Sequence, residues 1–218
     1  MNPGSLPTHL AAACTFALLA AGSPGGARSQ EPPGDCLLGH AEEHYDYLST
    51  ERRARQRIKT FEDIHLNANV RSLTSGQTGS IGADLHFVLT RVPNHHTALD
   101  AMVRLGFKEG LEKPKGASFS VECYLYKAAA YNPDDGVVRL IYGTYLARAD
   151  QDGAALRQLQ EANRLLPESG NVHYNLGLMY FDRKDYARAR EHALQAYALG
   201  FPLPGLKRKL VQVGQWEQ

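Results

Sequence analysis

The chain has 218 residues, 24 Lys and Arg against 23 Asp and Glu, a formal charge of +1 and 43% hydrophobic residues. That length suggests one domain with at most a small appendage, and the near-zero charge gives no electrostatic reason to expect nucleic acid or an acidic membrane as a dedicated partner. No stretch reaches the roughly 18 apolar residues of a membrane span, and three cysteines are too few for a disulfide scaffold or a four-cysteine zinc site.

Residues 1–29 read as a signal peptide. Leu10 to Gly22 (LAAACTFALLAAG) is an apolar run of the length of a secretory h-region, broken by Pro24 and two glycines, with small residues from Ala27 to Ser29 around a cleavage point. No Lys or Arg precedes the run, so an Ala-rich tail is the competing reading. A lipoprotein anchor at Cys14 fits poorly, because most of the run lies beyond that cysteine. On the export reading the mature chain starts near Gln30 and belongs in the periplasm or outside the cell. It then keeps two cysteines, Cys36 and Cys123, in an oxidising compartment. They are expected to form a disulfide, or else to be two separate buried thiols.

Residues 30–79 form an irregular, partly helical segment. Glu31 to Asp35 (EPPGD) is a linker by composition. Cys36, His40 and His44 are spaced by four, and His40 to His44 (HAEEH) matches the inverted zinc-protease motif, in which two histidines hold the metal and Glu43 activates its water. Three of five positions define that motif and no third ligand accompanies it, so polar surface histidines are the favoured reading. No metal, cofactor or catalytic residue is assigned. The basic run at 50–60 lies close to Glu42, Glu43, Asp46 and Glu51 and reads as a solvated charged face. Residues 72–82 carry Gly, Ser and Thr without the Lys of a P-loop; they read as a turn and helix entry with Ser80 as N-cap.

Helical spacing resumes at Ser80. Ile81, Leu85, Val88, Leu89 and Val92 make one stripe ended by Pro93, Ala98, Met102 and Leu105 make the next, and Val121, Leu125 and Ala128 a third ended by Pro133. Pro93 to Pro133 is 40 residues, and the surplus over the downstream period falls near Lys108–Gly116, where Gly110, Pro114 and Gly116 forbid a continuous helix. The paired His95 and His96 are placed at a helix start, as surface.

From residue 135 to 202 the chain repeats itself every 34 residues: Gly143 falls on Gly177, Ala155 on Ala189, Ala162 on Ala196, Leu165 on Leu199 and Pro133 on Pro167. Glycine and alanine at fixed places let paired helices approach closely, and a hairpin built this way cannot bury both its faces alone, so neighbours must stack. Residues 203–218 supply a closing helix, with Leu206 and Leu210 inward and Lys207, Arg208 and Lys209 outward.

The second copy resembles the tetratricopeptide repeat, Trp-x2-Leu-Gly-x2-Tyr then Ala-x3-Phe then Pro, through Leu176, Gly177, Tyr180 and Ala189. His173 stands where Trp is usual, Ala193 where Phe is usual, and Pro202 comes one residue late. The first copy carries Arg139, Tyr142-Gly143, Leu146, Ala155, Leu159 and an on-register Pro167. Segments such as TGSIGADLHFVLTRVPNHHTAL and AYALGFPLPGLKRKL look similar to exported bacterial tetratricopeptide-repeat proteins. The resemblance implies an all-α, right-handed superhelical stack of antiparallel hairpins over residues 80–202, irregular to 133 and clear from 135. It implies a module that binds a partner protein or peptide in a concave groove, or a structural subunit that braces a larger envelope complex, and it implies no reaction. In such repeats the first helix of each hairpin lines the groove, which points to Val137, Leu140, Ile141, Thr144 and Arg148, then to Asn171, Tyr174, Asn175, Leu178, Phe181 and Asp182.

Overall fold

The computed structural model describes Met1, Cys36 and residues 44–216, and the account below concerns the unit from residue 32 to the C-terminus. The leader expected over residues 1–29 with its Cys14, and the His40 and Glu43 of the zinc-protease motif, lie outside the described residues.

The described residues contain ten helices and no strand. They are α1 (Arg52–His65), α2 (Ala68–Arg71), α3 (Ile81–Arg91), α4 (His96–Glu109), α5 (Val121–Tyr131), α6 (Gly136–Arg148), α7 (Asp152–Leu165), α8 (Gly170–Asp182), α9 (Tyr186–Ala198) and α10 (Gly205–Gln212). The sequence period is also a structural one. Helices α6 and α8 start and stop at positions 34 apart, and so do the starts of α7 and α9. The turn inside each hairpin passes through one left-handed residue at the same register, Asp150 (φ 57°) and Lys184 (φ 62°), a conformation that ends a helix and reverses the chain. Side-chain caps open the helices: Asp135 accepts from the amides of Val137 and Val138, Ser169 from Val172 and Asp185 from Arg188. Each cap satisfies amides the helix leaves orphaned, an effect of about 1 kcal/mol.

Upstream, the period is 40. Ser80 and Ser120 cap α3 and α5, and His95 and Asp135 cap α4 and α6. The surplus sits in residues 110–120, between α4 and α5, where Gly110 (φ 65°) ends α4.

The core runs through the stack without a break. Leu85, Val88, Met102, Leu105, Leu125, Ala128, Val138, Tyr142, Leu146, Ala155, Leu159, Val172, Leu176, Ala189, Ala193 and Ala196 are all buried in one cluster. Small residues decide how close the helices come. A Cβ on Gly143 would lie 2.7 Å from Leu159 Cγ on the partner helix α7. On Gly177 it would run first into Leu206 Cδ2 of α10, with the Ala189 carbonyl of α9 at 3.3 Å. The last glycine therefore receives the closing helix as well as its hairpin partner. Leu206 and Leu210 are fully buried there, and Lys207, Arg208 and Lys209 face out.

The N-terminal segment docks at the repeat junctions. The Tyr45 amide donates to the Arg91 carbonyl at the end of α3 (2.8 Å). Buried Asn94 accepts from the Tyr47 amide (3.0 Å) and donates to Asp46 (2.7 Å) and Asp135 (3.0 Å), while Asn132 donates to the other oxygen of Asp46 (3.1 Å). Cys36 is joined to Cys123 by a disulfide, with Cα atoms 5.2 Å apart and a sequence separation of 87; closing a loop of that length stabilises the fold by roughly 4 kcal/mol if the entropy lost by the unfolded chain dominates. Helix α1 buries Ala54 and Ile58 and leaves Arg52, Arg53, Arg55, Arg57 and Lys59 exposed, a solvated face.

Candidate functional site

Two parallel stripes stand out on the first helices of the regular hairpins. On α6, Val137, Ile141, Thr144 and Arg148 recur at four, three and four residues, which is one face of a helix. On α8 the same register holds Asn171, Asn175, Leu178 and Asp182. Arg148, Asn171 and Asp182 are exposed and the other five are half-buried. Arg148 lays its guanidinium 3.7 Å over the Phe107 ring of α4, which also meets Tyr145 at 5.8 Å. Asn175 donates to the backbone and side-chain carbonyls of Asn171, both at 2.8 Å, leaving its own carbonyl oxygen as an acceptor. Thr144 turns its hydroxyl back onto the Ile141 carbonyl (2.9 Å).

The remaining three residues expected in the groove are placed differently. Leu140 and Tyr174 are each only 9% exposed. The ring of Tyr174 packs on Phe201 with centroids 4.4 Å apart, and Gly205 at the start of α10 sits against its hydroxyl. Phe181 is half-buried between Tyr186 and Lys209, whose ammonium also reaches Asp182 at 3.5 Å. Tyr174, Gly177 and Phe181 thus form the face of α8 that receives α10. Their register as first-helix residues says nothing of this, because the covering element is the divergent tail.

The equivalent positions of α4 include Arg104 and Lys108, which sequence reasoning passed over. They donate to the carbonyls of Arg71 (2.9 Å) and Leu73 (2.6 Å) at the end of α2. Cations placed at the last carbonyls of a helix are a recognisable signal in retrospect.

The histidine pair at the start of α4 is a correction. His95 is fully buried, not on the surface. Its Nδ1 accepts from the Ala98 amide, so Nε2 carries the proton and donates to Glu62 at 3.0 Å. Burial pushes its pKa down to about 4 against the opposing pull of Glu62. His96, half-buried, donates to both oxygens of Asp135 (2.9 and 2.8 Å). Burial works to raise the Asp135 pKa, but the bonds from His96, Val138 and Asn94 outweigh it and hold the carboxyl below its ordinary value. The same balance holds at buried Asp84, where Thr78, His65 and the amides of Gln77 and Thr78 converge and tie down the Gly-, Ser- and Thr-rich turn.

Between α3 and α5 lies a cleft of about 750 Å³, lined by His44, His86, Phe87, Arg91, Phe119, Tyr124, Lys127 and Tyr131 among others. Within it His86 Nδ1 lies 2.7 Å from the Tyr124 hydroxyl and Nε2 lies 3.1 Å from Ser118 Oγ. A hydroxyl, an imidazole and a phenol in line have the connectivity of a nucleophile, base and orienting group. The Ser118 amide also donates to the Tyr124 hydroxyl (3.3 Å), which ties the turn before α5 to that helix. Among the described residues, no group of three or more His, Cys, Asp or Glu is placed to hold a metal, and no helix is long and apolar enough to cross a membrane.

These features define a class: an all-helical repeat protein built of stacked antiparallel hairpins. No protein-family model and no curated protein matches the chain. Among solved structures, one named "MamA MSR-1 C2" is similar at 20% identity over 55% of this chain, with a TM-score of 0.41. The match spans 65% of that chain, less than two thirds of its length.

Proposed function

We propose that the chain is an exported interaction module that holds a segment of a partner protein along α6 and α8. The observation that supports this most is the pair of stripes in one register, Val137, Ile141, Thr144 and Arg148 beside Asn171, Asn175, Leu178 and Asp182. One stripe offers aliphatic area ending in a cation. The other offers carboxamides that can pair with a peptide backbone, ending in an anion. A tetratricopeptide-type stack is an interaction scaffold by construction, since its first helices display side chains from a rigid support. Export is supported by the apolar run at residues 10–22 and by a disulfide between Cys36 and Cys123, a bond that persists in oxidising compartments.

The test uses affinity capture from the native host with the full chain and an Arg148→Ala/Asn175→Ala variant. The variant should stay folded, with melting lowered only by loss of the Arg148–Phe107 stacking and the local Asn175–Asn171 bonds. Recovery of the partner is expected to fall by about tenfold or more. Equal recovery by the two proteins would overturn the assignment of these stripes.

A further inference from the structure

We propose that His173 and His192 form a proton-sensitive fastening of the last hairpin, α8–α9, which the preceding hairpin lacks. One period upstream, the same two positions hold Arg139 and Gln158. There Arg139 donates to the Pro133 carbonyl through Nε (3.3 Å) and Nη2 (3.2 Å), and to Gln158 Oε1 through Nη1 (3.2 Å). In the last hairpin His173 Nε2 lies 2.9 Å from the carbonyl of Pro167, the counterpart of Pro133, and its Nδ1 lies 2.9 Å from His192 Nδ1. Both hairpins therefore tie the first helix to the preceding turn and to the second helix at one register. Arginine and glutamine keep their protons throughout the accessible pH range; imidazoles do not.

The partners assign the protons. A carbonyl only accepts, so His173 carries its proton on Nε2 and its Nδ1 is a lone pair. His192 must then donate from Nδ1. With ring centroids 5.2 Å apart, the 2.9 Å bond lies nearly on the line joining the rings, the arrangement of a straight hydrogen bond rather than of two ligands converging on a metal ion. The first added proton can enter only at His192 Nε2. A second would fall on His173 Nδ1 and set two N–H groups and two positive rings head to head.

The surroundings resist even the first. His173 is 8% exposed. Tyr180 of α8 stacks on the His192 ring at 5.5 Å, and the Tyr180 hydroxyl accepts from Gln160 of α7. Arg188 and Glu191 of α9 complete the charged neighbours, with Arg188 4.3 Å over the Tyr180 ring. Burial first, then His173 and Arg188, hold the His192 pKa below its ordinary value, with Glu191 opposing. A histidine whose folded pKa is lowered stabilises the fold fully above the unfolded value, and that contribution is lost as pH falls below it. No other histidine lies between residues 136 and 216.

Hydrogen exchange of the full chain on either side of the histidine range, at about pH 7.5 and about pH 5, tests this independently of what the groove binds. After correction for intrinsic rates, mid-helix amides of α8 and α9 should lose protection several-fold relative to those of α6 and α7. His173→Arg/His192→Gln, which transplants the upstream pair, should abolish the difference, and Arg139→His/Gln158→His should extend it to α6–α7. Should the double variant fail to fold, His192→Gln alone decides, since an amide can still donate to His173 but cannot titrate. Equal loss in both hairpins of the wild type, or a difference that survives the substitutions, would overturn the proposal.

Discussion

The hairpins α6–α7 and α8–α9 share one backbone and differ in what surrounds it. Their helices start at the same register and their turns pass through the same left-handed position at Asp150 and Lys184. The first is held on both sides by other repeats. Its cap, Asp135, is 2% exposed and serves the Asn94 and His96 of the preceding junction as well as its own helix. The second ends the stack. Its cap, Ser169, accepts from the Val172 amide at 3.4 Å, and its glycine receives a tail helix. A repeat period thus sets the backbone, while position in the stack decides which faces are covered and which stay open.

The caps offer the largest expected contrast. Asp135→Ala should cost roughly 3 kcal/mol, because it removes a helix cap and leaves the buried Asn94 carboxamide and His96 short of an acceptor. Ser169→Ala should cost about 1 kcal/mol, an ordinary cap loss. Chemical denaturation of the two variants measures both, and equal costs would show that the junction network adds nothing to the cap. The Asp135 contribution also has a sign in pH. Its folded pKa is lowered, so the stability is present above the ordinary carboxylate pKa and is lost as pH falls through the lower folded value.

The glycines come next. Leucine at either site overpacks a close contact, an effect of about 1–3 kcal/mol, but the two should fail differently. Gly143→Leu presses on Leu159 inside its own hairpin. Gly177→Leu presses on Leu206 and should displace α10 first. The single tryptophan, Trp216, packs edge-on to Tyr197 with Lys207 5.2 Å from its ring centroid, so its emission should shift to the red before helicity falls in Gly177→Leu only. Simultaneous loss of both signals would mean that α10 is no separate cap.

Much of this was legible in the sequence, for a physical reason. A 34-residue recurrence of Gly, Ala and Pro is a recurrence of close helix contacts and helix stops, and these fix a hairpin locally. What was not legible depended on partners far along the chain. His95 looks like surface at a helix start, yet it is buried, with Glu62, 33 residues earlier, accepting the hydrogen bond from its Nε2–H. Tyr174 keeps the register of a groove residue, and is covered by Phe201, which stands where the period would place proline, and by Gly205 of a tail that carries no repeat. Arg104 and Lys108 look solvated until α2 ends beside them. The stripe positions follow from register alone, so the sequence suffices to put Val137 and Ile141 on one face of α6 and Asn171 and Asn175 on one face of α8.

The central claim is that the chain works through the faces of α6 and α8. Site-specific photocrosslinking in the native host tests it most directly, with the reactive residue placed in turn at positions 141 and 178 and, as controls, at the exposed Arg157 of α7 and Arg190 of α9. Positions 141 and 178 should capture the same partner, and positions 157 and 190 should not. Capture from 157 or 190 with none from 141 and 178 would place binding on the second helices and contradict the account.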